Sequence, residues 1–269
     1  MSERLEGPYR ALGDNRLFVP HSHYAGKVVS FRGKVRYGCW TYFEVDGPYP
    51  SGDLKADGGS LKKYLPIFPE VRQEEGGRLY LGISDRLLEP YLDGKKETSI
   101  AFGKPLLVNS YSDYGNGREK MVLQVEEGLQ IIPFYEPLND FLLKGKLKID
   151  GARGGFAFHL SEDSSGYFVE IIPDTDTVRL IKHLPHIRTD GHRWFEYKII
   201  QENNLSHFNL NWETKIPFKL VVNKGEIMFS LNNILALHTV SMTRQQGKPG
   251  LFGESSKVEL SEGCLLSLS

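Results

Sequence analysis

Two cysteines in 269 residues, Cys39 and Cys264, are too few and too far apart for a disulfide-built scaffold. Cys39 sits inside the strand-like run VRYGCWTYFEV and is expected to be a buried thiol. The chain contains no apolar run of about 18 residues, the length that a membrane-crossing helix requires. Its opening, MSERLEGPYR, is polar where an export signal has an apolar centre. The expectation is a soluble protein with no signal peptide in this chain and no membrane partner, its compartment otherwise unknown. An excess of one charge is also missing, because 33 Lys and Arg stand against 34 Asp and Glu, a formal net charge of -1. Nothing here forms a footprint for a polyanion. Lys144, Lys146 and Lys148 alternate onto one strand face that reads as solvated. Nucleic acid is not an expected partner.

Metal-ligand spacing is equally sparse. His21 and His23 form His-x-His, which puts two imidazoles on one side of a strand but supplies only half a zinc site. Asp163, Asp174 and Asp176 stand in loops, yet no twelve-residue calcium loop is present. No metal or cofactor is expected. Paired carboxylates for glycoside hydrolysis need two acids facing one another. Asp174 and Asp176 have i, i+2 spacing, but IIPDTDTVRL reads more simply as a turn between strands. Glu170 lies within the preceding strand, between Val169 and Ile171. It reads as a solvated side chain, with an inward binding role as the alternative. No catalytic residue is assigned.

What the chain has in quantity is strand signal. The segments Ala25–Phe31 and Lys34–Val45 flank a turn at Arg32-Gly33, and Gly47–Leu61 is a polar loop. Leu65–Arg72 and Arg78–Ile83 surround the Glu75-Gly76-Gly77 turn, and Asp85 precedes a short helix over Arg86–Leu92 that Gly94 stops. Farther on, strands are expected near Leu106–Asn109, Glu119–Val125, Gly128–Phe134, Phe141–Asp150, Gly155–Leu160, Gly166–Ile172 and Thr177–His183. Others follow at His192–Gln201, Phe208–Trp212, Ile216–Asn223, Glu226–Leu231, Ile234–Thr239 and Lys257–Ser267. Alternation is clear in FVEII, TVRLI, FKLVV and IMFSL. So many short strands without a helical period predict an all-β fold with two packed sheets. The expected division is a β segment with linker over residues 1–98 and a β-sandwich over residues 99–269.

Particular residues carry a resemblance. Gly7-Pro8, Tyr24-Ala25 and Gly33 are followed by Leu65-Pro66, Pro69-Glu70 and Gly76-Gly77-Arg78-Leu79, and later by IMFSLNN and GKPGLFGE. In order and spacing these resemble the carboxyl-terminal half of a family 32-type glycoside hydrolase, the group of invertases, levanases and inulinases. The resemblance implies a propeller-blade-like antiparallel segment followed by a concanavalin-like β-sandwich. It also implies a carbohydrate ligand. The Trp-x-Asn-Asp-Pro-like, Arg-Asp-Pro and Glu-Cys motifs that carry catalysis in that family do not occur here; Glu262 precedes Gly263. The reading is therefore a binding or structural module, inactive alone. It would be completed as a hydrolase only by a missing catalytic segment or a partner chain, and a homo-oligomer is the other way to cover the blade. A structural or protein-binding sandwich is the remaining alternative.

Sugar recognition stacks aromatic rings on the apolar face of a ring and places polar groups on its hydroxyls. Among 3 Trp, 13 Tyr and 15 Phe, Trp40 alternates with Tyr42 on one strand face. Tyr111, Tyr114 and Asn116, in NSYSDYGNG, read as an exposed loop. Under the family resemblance His21, His23 and Tyr24 point toward substrate. These seven are the expected substrate-binding residues.

Overall fold

The computed structural model describes residues 23–31, 33–44, 63–64, 69–74, 77–94, 97–98, 100–103, 106, 112–116, 120–187, 193–241 and 247–268. The N-terminal elements are β1 (His23–Phe31), β2 (Lys34–Glu44), β3 (Lys63–Tyr64), β4 (Glu70–Gln73), β5 (Leu79–Gly82) and α1 (Asp85–Leu92). Then come β6 (Glu97–Thr98), β7 (Ser112–Asn116), β8 (Lys120–Pro133), β9 (Phe141–Leu160), β10 (Gly166–Ile172), β11 (Thr177–Ile187) and β12 (Arg193–Asn204). The last are β13 (Ile216–Asn223), β14 (Glu226–Leu231), β15 (Ile234–Ser241) and β16 (Lys248–Ser267).

β9 organises the architecture. Its first half pairs with β13 from Phe141 to Leu147, and its second half pairs with β10 from Gly154 to Phe158. Its other edge is occupied along its length by β16, which in turn carries β8. One strand thus belongs to two sheets, and the sequence shows why it bends. Gly151 and Gly155 have φ of 120° and 146°. A Cβ on Gly155 would lie 2.1 Å from the Val169 carbonyl oxygen, and one on Gly151 would lie 2.5 Å from that of Ser255. Only glycine fits there.

Between the two sheets lies the main core. Phe156, Phe158, Val169, Val178 and Leu180 come from β9 to β11, and Leu143, Leu220, Val222, Phe229 and Leu237 come from the β13–β15 side. The rings of Phe156 and Phe218 meet across it at 4.4 Å. Each such side chain contributes about 1.5–3 kcal/mol on burial, which explains why period-2 alternation was so readable here. β12 and β15, at the open side of the fold, are joined by side chains instead of a ladder. Gln201 Oε1 accepts from the His238 N–H, and Asn203 Nδ2 donates to the Ala236 carbonyl. Those contacts give partners to backbone groups of β15 in addition to its strand ladders.

A second core joins the N-terminal strands to the outside of the β13–β15 sheet. It contains Tyr37, Cys39, Leu81, Ile83 and Leu88 together with Leu142, Val221, Met228 and Leu235. β2 also runs parallel to the end of β15, pairing Phe43 with Val240. Cys39 is buried as expected. Burial, with Glu226 nearby, pushes its thiol up to about 12.

Several boundaries differ from the sequence reading. The two strands expected at Glu119–Val125 and Gly128–Phe134 are replaced by the single strand β8, Lys120–Pro133, interrupted by a bulge at 126–128 where Gly128 has φ 75°. Phe141–Asp150 and Gly155–Leu160 are likewise the single strand β9. Phe208–Trp212 is not a strand. Ser206–Phe208 forms a 3-10 turn closed by Asn209 in the left-handed region, and Trp212 Nε1 donates to Asp176 Oδ1 at 2.6 Å. The GKPGLFGE segment read as a closing turn is, from Lys248, the start of β16. The helix expected over Arg86–Leu92 is present as Asp85–Leu92.

Candidate functional site

The face of β9 to β11 turned away from the main core carries charge where alternation would place solvated residues. Glu170 and Arg179 are register partners on β10 and β11, and Arg179 and Glu202 are partners on β11 and β12. On the opposite side, Arg153 and Glu254 are partners on β9 and β16. The side chains join into one ladder. Glu254 Oε2 accepts from Arg153 Nε at 2.8 Å and from its Nη2 at 2.5 Å. Arg153 Nη1 donates to Glu170 Oε1 at 2.7 Å. Glu170 Oε2 lies 3.5 Å from Arg179 Nη1, and Arg179 Nε donates to Glu202 Oε2.

Glu170 is the centre of this arrangement. It is 3% exposed and engages a guanidinium with each oxygen, so its reading as a solvated residue is corrected. Gly155 stands opposite it in the β9–β10 register and keeps backbone, without a side chain, beneath it. Burial alone would lower the Arg153 pKa, but the charges of Glu170 and Glu254 outweigh it and the net shift is upward.

Beside the ladder the same face becomes apolar. Phe168, Ile181 and Phe252 pack with Ala157 and Ile131 in a small third core, with Leu129 against it. The Phe168 and Phe252 rings meet edge-on at 5.0 Å. Together with Arg153, Glu170, Glu254 and Tyr197, the residues Leu129, Phe168, Ile181 and Phe252 line a small, shallow surface depression. Tyr197 is half exposed, with its ring 5.0 Å from that of His183. Burial raises the Tyr197 pKa, with Arg153 opposing and Glu254 and Glu170 adding to the rise. His183 is itself anchored, its Nδ1 lying 2.6 Å from the Ser164 carbonyl. The cleft therefore offers a braced aromatic ring, an apolar floor, and carboxylate and guanidinium groups at one end. Such a surface binds a ligand with one apolar face and several hydroxyls.

None of the seven sequence-predicted residues is among the described residues that line the cleft. His21 and Tyr111 lie outside the described residues. His23 and Tyr24 are in β1 and Trp40 is in β2, with Tyr24 and Trp40 in register with each other. The side chains of His23, Tyr24, Trp40, Tyr114 and Asn116 lie outside the described ones. Tyr114 and Asn116 are not in a loop. Ser112–Asn116 is a strand, β7, and its ladder with β8 pairs Tyr114 with Leu123 and Asn116 with Met121, both core residues. Of the charged lining residues, Glu170 alone drew an inward binding role as an alternative reading, and Arg153 and Glu254 read individually as ordinary outward-facing charges. The available signal was limited to Glu170 and Arg179, each set between apolar neighbours in successive strands.

No protein-family model matches the chain, and no curated protein sequence matches it. Among solved structures, a fructosyltransferase from A. japonicus aligns with 92% of this chain and 44% of its own, at 12% identity and a TM-score of 0.55. The Aspergillus kawachii β-fructofuranosidase, solved with glycerol, aligns with 92% of this chain and 46% of its own, at 14% identity and a TM-score of 0.53. The carbohydrate-binding module CBM66 from Bacillus subtilis aligns with 64% of this chain and 98% of its own, at 14% identity and a TM-score of 0.49. The chain spans less than half the length of the two enzymes. At such identities the likeness is one of fold: this chain folds as an all-β sandwich region like that in a fructosyltransferase and a β-fructofuranosidase, as its sequence resemblance implies.

Proposed function

We propose that this chain is a carbohydrate-binding β-sandwich of the fructan- and sucrose-type glycoside hydrolase lineage, and that it binds through the Arg153–Glu170–Glu254 cleft. The observation that carries the reading is the joining of a charged ladder to an aromatic-lined floor on one sheet face. Sugar hydroxyls exchange hydrogen bonds with the ladder, and the apolar side of the ring lies against Tyr197. The fold neighbours named for fructosyl chemistry support the substrate class.

Binding is favoured over hydrolysis by the chemistry of the two acids. Glu170 and Glu254 contact the same guanidinium, which limits their separation to roughly 8 Å, within the span used by glycosidase pairs. Distance alone therefore permits the hydrolase alternative. The guanidinium between them, however, commits both carboxylates to ion pairs, whereas a general acid needs a setting that keeps it protonated. Isothermal titration with inulin, levan and β-glucan tests the proposal. Saturable heat without release of reducing sugar supports it, and absence of binding to all three refutes it.

A second reading concerns the expected division at residues 98 and 99 and rests on the β1–β2 hairpin. Val28, Val29, Phe31 and Val35 are 44–58% exposed there. Val28 and Val29 are adjacent, so β1 exposes a valine on each of its faces. We propose that a catalytic segment, partner chain or second copy covers this blade-like sheet. Light scattering supports the second copy if the mass is at least twice the 30.5 kDa of one chain. A monomer that stays soluble and binds no hydrophobic dye argues against any such cover.

A further inference from the structure

Resting on the carbohydrate reading of this cleft, we infer that it selects uncharged sugars bearing neighbouring hydroxyls and rejects both anionic and cationic glycans. Several polar atoms of the ladder are already engaged within it. Glu170 spends one oxygen on Arg153 and the other on Arg179. Glu254 takes both Arg153 contacts on Oε2, which leaves Oε1 available at the cleft among the described residues. Arg153 donates through Nε, Nη1 and Nη2, and a guanidinium has five N–H groups. It therefore retains donors beside the free carboxylate oxygen.

A donor and an acceptor standing side by side on opposite charges suit a pair of hydroxyls. One hydroxyl donates to Glu254 while its neighbour accepts from Arg153, and no charge is left uncompensated. A carboxylated or sulfated sugar that pairs with Arg153 is forced against Glu254. An amino sugar that pairs with Glu254 is forced against Arg153. Neither charge can be relieved by moving the ladder, because Glu170 is buried and held from both sides. The whole ladder also holds three carboxylates against two guanidiniums, so anions meet the larger penalty. Glu202 and Arg179 contribute to that balance without lining the cleft.

The test is a titration panel at low and physiological salt: inulin and β-glucan oligosaccharides, oligogalacturonate, and glucosamine oligomers. The wild-type protein is expected to bind a neutral member at least tenfold more tightly than either charged one, with little salt dependence. Glu254→Gln removes the charge at nearly constant shape. It is expected to weaken the neutral ligand about tenfold and to narrow its advantage over oligogalacturonate. Glu202→Gln, outside the lining, is expected to leave the neutral affinity within twofold while raising that for oligogalacturonate a few-fold at low salt. Neutral and charged sugars bound equally well would overturn the inference and leave the carbohydrate reading standing. If no sugar binds, both fall.

Discussion

Replacing Glu170 by Gln separates a cooperative ladder from a set of independent surface pairs. Gln has the same shape but offers one oxygen where the carboxylate offers two, so its NH2 group must face either Arg153 or Arg179. One of the two contacts to charged donors is lost outright and the other keeps only a neutral acceptor, where each contributes about 1.5–3 kcal/mol when intact. Three effects reduce that sum. Arg153 and Arg179 are about a third exposed and keep Glu254 and Glu202 as partners, and removing a buried charge returns its desolvation cost. We expect a net loss of about 2 kcal/mol at pH 7. Glu202→Gln, at an outer rung that is nearly half exposed, is expected to cost under about 0.5 kcal/mol. Urea denaturation of the three proteins provides the comparison, read as a shift in midpoint at unchanged slope. Equal costs at the two positions, or none at Glu170, would show that the ladder is not organised around its buried centre.

Other expectations follow from single residues. Gly155→Ala places a Cβ against the Val169 carbonyl at a φ that side chains rarely adopt, and is expected to cost more than about 3 kcal/mol or prevent folding, read from soluble yield and circular dichroism. The Cys39 thiol, raised to about 12 by burial, is expected to resist Ellman's reagent at pH 8 until the protein unfolds; rapid native labelling of Cys39 would contradict the packing of β2. Burial lowers the pKa of His159 and His183 below the ordinary 6.5, against the opposing pull of their backbone carbonyl contacts. Their contribution is therefore complete above pH 6.5 and is lost as the pH falls, so the urea midpoint is expected to drop between pH 7.5 and pH 5. In His183→Phe the drop is expected to be smaller.

The sequence reading reached far into the fold and hardly into the site. Where β10, β13 and β14 bury one face in the main core, the alternation in GYFVEII, IPFKLVVN and EIMFSL located their ends without error. It failed at β8 and β9, because bulges and positive-φ glycines shift the alternation inside a continuous strand and mimic a turn. FNLNW alternates too, but Trp212 finds its partner in Asp176 of a distant turn, a contact no local pattern reveals. The Gly, Asn and Ser of NSYSDYGNG read as a loop, whereas the pairing of Ser112–Asn116 with β8 makes those residues a strand. The cleft was hidden for a different reason. Arg153 and Glu254 are separated by 101 residues, and only the register of β9 with β16 makes them neighbours. Glu170 was noticed, but its burial depends on arginines from two other strands.

The most direct test of the account compares two places where a sugar might bind. Tyr197→Ala removes the half-exposed ring of the cleft, and Tyr114→Ala removes the tyrosine of β7. The account predicts that Tyr197→Ala weakens the tightest neutral glycan by about 1–2 kcal/mol through lost stacking while costing under about 1 kcal/mol in stability. Tyr114→Ala is predicted to leave that affinity unchanged. Titration calorimetry of both variants beside the wild type decides between them: full affinity in Tyr197→Ala together with loss in Tyr114→Ala would contradict the cleft and return the site to the segment first read from the sequence.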